Sequence, residues 1–134
     1  VSSDHAVGTF EVQLKMLGSY SSDDPTLARM SIDKKFHGEL EGTSKGEMLS
    51  ADTAIKDSAG YVAMERVTGT LGGRKGSFVL QHSATMTRGV PSLSVTVVPD
   101  SGTGDLTGLK GVLTITIDSD SHAYEFDYDL PAAV

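Results

Sequence analysis

Glu65 and His82 carry the most chemistry for their position in this chain, because both fall on the apolar face of a predicted β-hairpin spanning residues 60–86. Residues 61–71 and 77–87 alternate apolar and polar around a Gly-rich turn, the pattern of two paired antiparallel strands. The alternation groups Tyr61, Ala63, Val67 and Leu71 with Phe78, Leu80, Ala84 and Met86, and it carries Glu65 and His82 in with them. A register with Thr70 opposite Ser77 sets Glu65 directly across from His82, and a shift of two residues leaves them diagonal neighbours on the same face. A lone ionised group is costly to bury, so such groups pair or neutralise. A Glu–His or Glu–Lys pair in a cavity of low dielectric has displaced pKa values, which suits it to general acid–base chemistry. On that reading Glu65 is the base or electrostatic stabiliser, His82 its partner and Tyr124 a hydroxyl donor. The same alternation turns Lys34, Ser44, His122 and Tyr128 inward, as side chains against which a ligand would sit. A satisfied polar network that closes the core uses the same residues equally well. The opposite hairpin face carries Arg66, Gln81 and Ser83, which suit solvent or a subunit contact.

Those side chains need a scaffold of strands, and strand signals run the length of the chain. Residues 9–16 set Phe10, Val12, Leu14 and Met16 against Thr9, Glu11, Gln13 and Lys15. Residues 27–36 place Met30, Ile32 and Phe36 on one face, with Lys34 among them. Residues 39–49 put Leu40, Gly42, Ser44, Gly46 and Met48 on one side, and the glycines there suit curvature or close backbone approach. Residues 93–98, 112–117 and 122–130 complete the set, with polar connections at 19–25, 52–59 and 118–121 and a Gly-rich loop over 99–111. About eight alternating strands and no convincing long helix predict an all-β protein, an eight-stranded antiparallel barrel closed so as to leave no sheet edge. A two-sheet sandwich shares this periodicity.

The chain has 134 residues, which predicts one domain over residues 1–134 with room for one core. A net charge of −7 opposes binding to nucleic acid or to an anionic membrane. The absence of Cys excludes disulfides, thiolate metal sites and cysteine nucleophiles. The sequence contains no apolar run of membrane-spanning length, and its first residues lack the basic and apolar regions of a leader, so the expected location is the cytoplasm. The four histidines stand singly without HxH or HExxH spacing; only His82, Glu65 and His122 form a set that could converge on a metal, and neither metal nor cofactor is expected. The run 102–108 misses the dinucleotide fingerprint: its third Gly comes one residue late and a β-branched strand follows where a helix is required. Those glycines fit positive φ and tight packing across a barrel end.

Residues 30–50, 58–71, 76–83 and 97–104 carry a specific likeness: the chain resembles the bacterial family called Domain of Unknown Function 3224 from about Gly8 to Pro131. The resemblance implies an allene-oxide-cyclase-like barrel, lipocalin-like in shape, and the loop from Gly102 to Gly111 is similar to one in the plant cyclases, which close a fatty-acid epoxide inside the barrel. No catalytic residue of the plant enzymes maps onto a motif here. Related barrels often assemble, so a homo-oligomer is expected. Three functions follow as expectations: a cofactor-independent isomerase or cyclase acting on a small, largely apolar molecule, a non-catalytic module binding such a molecule, or a structural, self-associating barrel with a filled core.

Overall fold

The computed structural model describes residues 3–21, 23–118 and 121–131. Eight antiparallel strands run in sequence order around a closed barrel: β1 (Ser3–Ser21), β2 (Asp24–Gly38), β3 (Leu40–Asp52), β4 (Ala59–Leu71), β5 (Arg74–Thr87), β6 (Val90–Val97), β7 (Lys110–Asp118) and β8 (Ser121–Asp129). Closure comes from β1 against β8, from Ser3↔Asp129 to Phe10↔His122. The barrel predicted by the alternation is therefore present, and the sandwich is not. Among the described residues no helix is long and apolar enough to cross a membrane.

Several strands extend past their expected ends. The segment 19–25, expected as a turn, is largely paired: Ser19 faces Ala28 and Ser21 faces Asp24, with register shifts after Met16 and after Ser19. Bulges of this kind let a strand bend and accommodate Pro25 beside the second shift. Residues 3–8 have no apolar alternation of their own and become strand because β8 offers them partners. Between β4 and β5 the turn is only Gly72 and Gly73, with φ of +56° and +83°. Two consecutive residues of positive φ make the tight hairpin turn whose twist matches the strands. That turn sets Leu71 opposite Arg74 and Thr68 opposite Ser77, so Thr70 faces Lys75.

One half of the barrel is filled. Ala6, Phe36, Leu40, Val67, Leu71, Phe78, Leu80, Leu113, Tyr124 and Phe126 are buried there. Phe78 and Phe126 stack with centroids 5.8 Å apart, and Phe36 meets Tyr124 edge-on at 5.8 Å. Only Leu80 to Thr87 of β5 pair with β6, which leaves the start of β5 in need of partners. The chain beyond β6 supplies them: Val79 N–H donates to Ser101 Oγ, Ser77 N–H to Thr103 Oγ1, and Thr103 N–H to the Ser77 carbonyl. A single 3₁₀ turn, Gly104–Leu106, then folds Leu106 and Leu109 into the barrel end. Gly76 is required at this crossing, because a Cβ there would sit 2.1 Å from the Thr103 carbonyl oxygen.

Leu106→Ala removes the centre of this plug. It is expected to destabilise the fold by about 2–5 kcal/mol, the range for truncating a buried leucine, read as a lower urea midpoint at unchanged slope; a loss near zero would show the plug to be dispensable.

Candidate functional site

The other half of the barrel is hollow. A cavity of about 510 Å³ opens at the end where the 53–58 connection and the 88–89 turn lie. Its walls are mostly apolar: Phe10, Val12, Leu14, Ile32, Ala63, Ala84 and Ile115 contribute, and the polar exceptions are Lys34, Tyr61, His82 and His122 together with Ser50, Asp52, Thr85 and Ser92.

Where the hollow half meets the filled half lies one polar cluster. Glu65 is 1% exposed, Ser44 2% and His82 3%, and the Lys34 side chain is 8% exposed. Glu65 Oε1 accepts from Lys34 Nζ at 2.9 Å and from His82 Nε2 at 2.6 Å, and Oε2 accepts from Ser44 Oγ at 2.5 Å. Lys34 Nζ also lies 4.9 Å from the Phe10 ring centroid, a cation–π contact. Four neighbouring strands, β2 to β5, thus supply one member each.

Register explains how they meet. Lys34 is directly opposite Ser44, Gly46 opposite Glu65, and His82 opposite Ala63, one diagonal step from Glu65. The direct Glu65–His82 opposition does not occur, since the two-glycine turn shifts the hairpin by two residues; the diagonal arrangement does. Gly46 lets β3 approach Glu65, because a Cβ there would fall 2.0 Å from the Met64 carbonyl oxygen and 2.6 Å from Glu65 Cα. Small Ala63 and Ala84 flank His82 and leave the space above the cluster open.

Burial alone would raise the Glu65 carboxyl. The His82 hydrogen bond, the charges of Lys34 and His82 and the Ser44 hydrogen bond outweigh it and bring the carboxyl down to about 2. Glu65 is therefore ionised at neutral pH and can only accept hydrogen bonds. His82 Nε2 must carry the proton it donates to Oε1. The other ring nitrogen, Nδ1, has no hydrogen-bond partner among the described residues. No buried polar side-chain atom among them lacks a partner, so Nδ1 is not sealed from solvent, and His82 lines the cavity.

The structure brings Lys34, Ser44, Glu65 and His82 together, and it places His122 on the cavity wall with its ring 5.2 Å from Phe10. Tyr124 and Tyr128 point inward but elsewhere. The Tyr124 hydroxyl accepts the Leu40 N–H at 3.0 Å and donates toward the carbonyls of Leu40 and His37, tucked against Gly8. Tyr128 packs on Phe126 near the Gly72 turn. Tyr61 was not singled out from the sequence, although its inward position was legible. It lines the cavity, and burial and then the Glu65 charge raise its hydroxyl pKa. Among the described residues no three His, Asp or Glu side chains converge as a metal would require.

The Glu65 carboxyl falls from 4.5 to about 2 on folding. Its ionisation therefore stabilises the fold fully above pH 4.5, and the stabilisation is lost as pH falls toward 2. Its size is on the order of 3 kcal/mol. Glu65→Gln is expected to be less stable than wild type by about that amount at neutral pH, with the gap closing across the acid window. Urea unfolding of both proteins as a function of pH checks this, and a gap that does not vary with pH contradicts it.

Comparison with curated proteins finds no match. Among solved structures, the chain is similar to the crystal structure of a protein with unknown function from the DUF3224 family of Shewanella oneidensis MR-1. The two are 49% identical with a TM-score of 0.92, and the match covers 98% of this chain and 100% of that one. The family model described as protein of unknown function (DUF3224) matches residues 6–128, and the chain belongs to that family.

Proposed function

We propose that this protein binds a small, largely apolar molecule in the open half of its barrel. The observation that supports this reading is the cavity itself. About 510 Å³ lies within the range of small-molecule sites, and a mostly apolar wall with a few convergent polar groups is the usual composition of such sites. Lys34 and His82 stand at its inner end, where they would orient the bound molecule. Glu65 is absent from the wall and acts from behind them.

Catalysis on the bound molecule is the second reading, and one observation favours it. An ionised carboxylate fixes the tautomer of a cavity-facing histidine, the arrangement that orients an imidazole for proton transfer. A cofactor-independent isomerase would need little more than this and a shaped cavity.

The neutral dye N-phenyl-1-naphthylamine tests the binding reading. Its emission is expected to rise saturably with added protein. Ala84→Trp, which fills the cavity from its wall, is expected to remove the rise while the circular dichroism spectrum stays that of wild type. An unchanged titration with Ala84→Trp, or no rise with wild type, contradicts the reading.

A further inference from the structure

We infer that the occupant is a neutral carbonyl compound with an acidic α-hydrogen, and that His82 Nδ1 removes this hydrogen while Lys34 holds the carbonyl oxygen. This rests on the binding reading above and adds to it a head group and a reaction.

Charge balance selects the head group. Lys34 already faces the ionised Glu65, so with the imidazole neutral, as a base must be, the cluster has no unmatched cation to attract an anion. What remains is a pair of unlike hydrogen-bonding functions. Lys34 has three N–H donors, and among the described residues it gives only one, to Glu65. In its neutral form His82 gives its Nε2 proton to the same oxygen atom, which makes Nδ1 an acceptor on a ring that lines the cavity. Because both bond Oε1, Lys34 Nζ and His82 Nε2 lie no farther apart than those two bonds laid end to end. Nδ1 lies one imidazole width beyond Nε2, and a donor and an acceptor on that scale, at the end of a mostly apolar cavity, suit a carbonyl oxygen and the hydrogen on its neighbouring carbon.

The step balances without any further reactant. The α C–H bond breaks as Nδ1–H forms. Its electron pair becomes the new C=C bond, and the carbonyl π electrons move onto oxygen, where the Lys34 ammonium stabilises the enolate. The imidazolium so formed faces the Glu65 carboxylate. Returning the proton to the same carbon regenerates the substrate; returning it to the γ carbon of an unsaturated substrate shifts the double bond, which is an isomerisation. Glu65 is a positioning residue here rather than the base, since its three donors occupy it and it does not line the cavity.

Two probes of nearly one shape separate this inference from the reading beneath it. Tetralin is an apolar bicycle, and 2-tetralone is the same bicycle with a ketone and acidic α-hydrogens. Saturation-transfer NMR reports binding of each, and in D₂O buffer proton NMR follows loss of the 2-tetralone α-hydrogens. Wild type is expected to bind both and to speed α-hydrogen exchange roughly a hundredfold or more over buffer. His82→Ala is expected to abolish the acceleration with both probes still bound, and Lys34→Met to weaken 2-tetralone more than tetralin. The His82 tautomer is read directly by ¹⁵N NMR of the wild-type protein. A proton on Nε2 and none on Nδ1 is expected, and Glu65→Gln is expected to disturb that signature. Binding of both probes with exchange at the buffer rate overturns the inference and leaves the binding reading standing. Binding of neither overturns both, and a proton on Nδ1 in the wild-type protein overturns the role given to His82.

Discussion

A carboxylate near the middle of a barrel must be met by donors on every side, and Glu65 imposes that demand here. Its two oxygens accept from Lys34, Ser44 and His82, which stand on β2, β3 and β5, the strands on either side of its own and the one beyond. A buried charge left without such partners costs several kcal/mol, so any slip of β3, β4 or β5 that broke one of these bonds would be penalised more than a slip in an apolar stretch. The cluster thereby pins the relative heights of four strands, as the alternation of apolar residues, which repeats every two residues, does not.

The same cluster divides the interior. On one side, large residues fill the lumen and the 98–109 segment completes the wall that β6 leaves unfinished, with Leu106 and Leu109 as its buried end. On the other, small Ala63 and Ala84 stand where larger side chains would close the space, and the wall is mostly apolar, with Ser50, Asp52, Thr85 and Ser92 among its polar members. Polar groups at the boundary of a hollow apolar space are strongly placed, since field lines in a medium of low dielectric are little screened.

The fold was largely legible because each strand states its own face. Alternation put Glu65, His82, Lys34 and Ser44 inside the barrel together, and their shared face holds for either register of the central hairpin. Alternation does not give height along the barrel axis, which depends on the stagger between strands. Tyr124 and Tyr128 share the inward face with the cluster, but β8 sets them toward the filled end, where the Tyr124 hydroxyl serves the backbone of the β2–β3 corner. The two-residue shift of the hairpin hinged on Gly72 and Gly73 both adopting positive φ within a longer Gly-rich stretch. The strand at residues 3–8 was invisible for a different reason: its pairing is a property of β8, not of its own residues.

Stability alone gives no reason for this cluster. Apolar residues of similar volume commonly replace a buried ion pair without loss, because the desolvation of two charges offsets their attraction. The filled half of this barrel demonstrates the apolar solution with Phe36, Phe78 and Phe126. A chain able to pack one half that way could have packed the other. Instead Gly46 gives up a side chain so that β3 can approach Glu65, and two alanines keep the space beside His82 clear. Each of these choices forgoes buried apolar surface, on the order of 25 cal/mol for each Å². What they preserve is a fixed imidazole and an ammonium group at the inner end of a cavity, the arrangement on which the proposed binding rests.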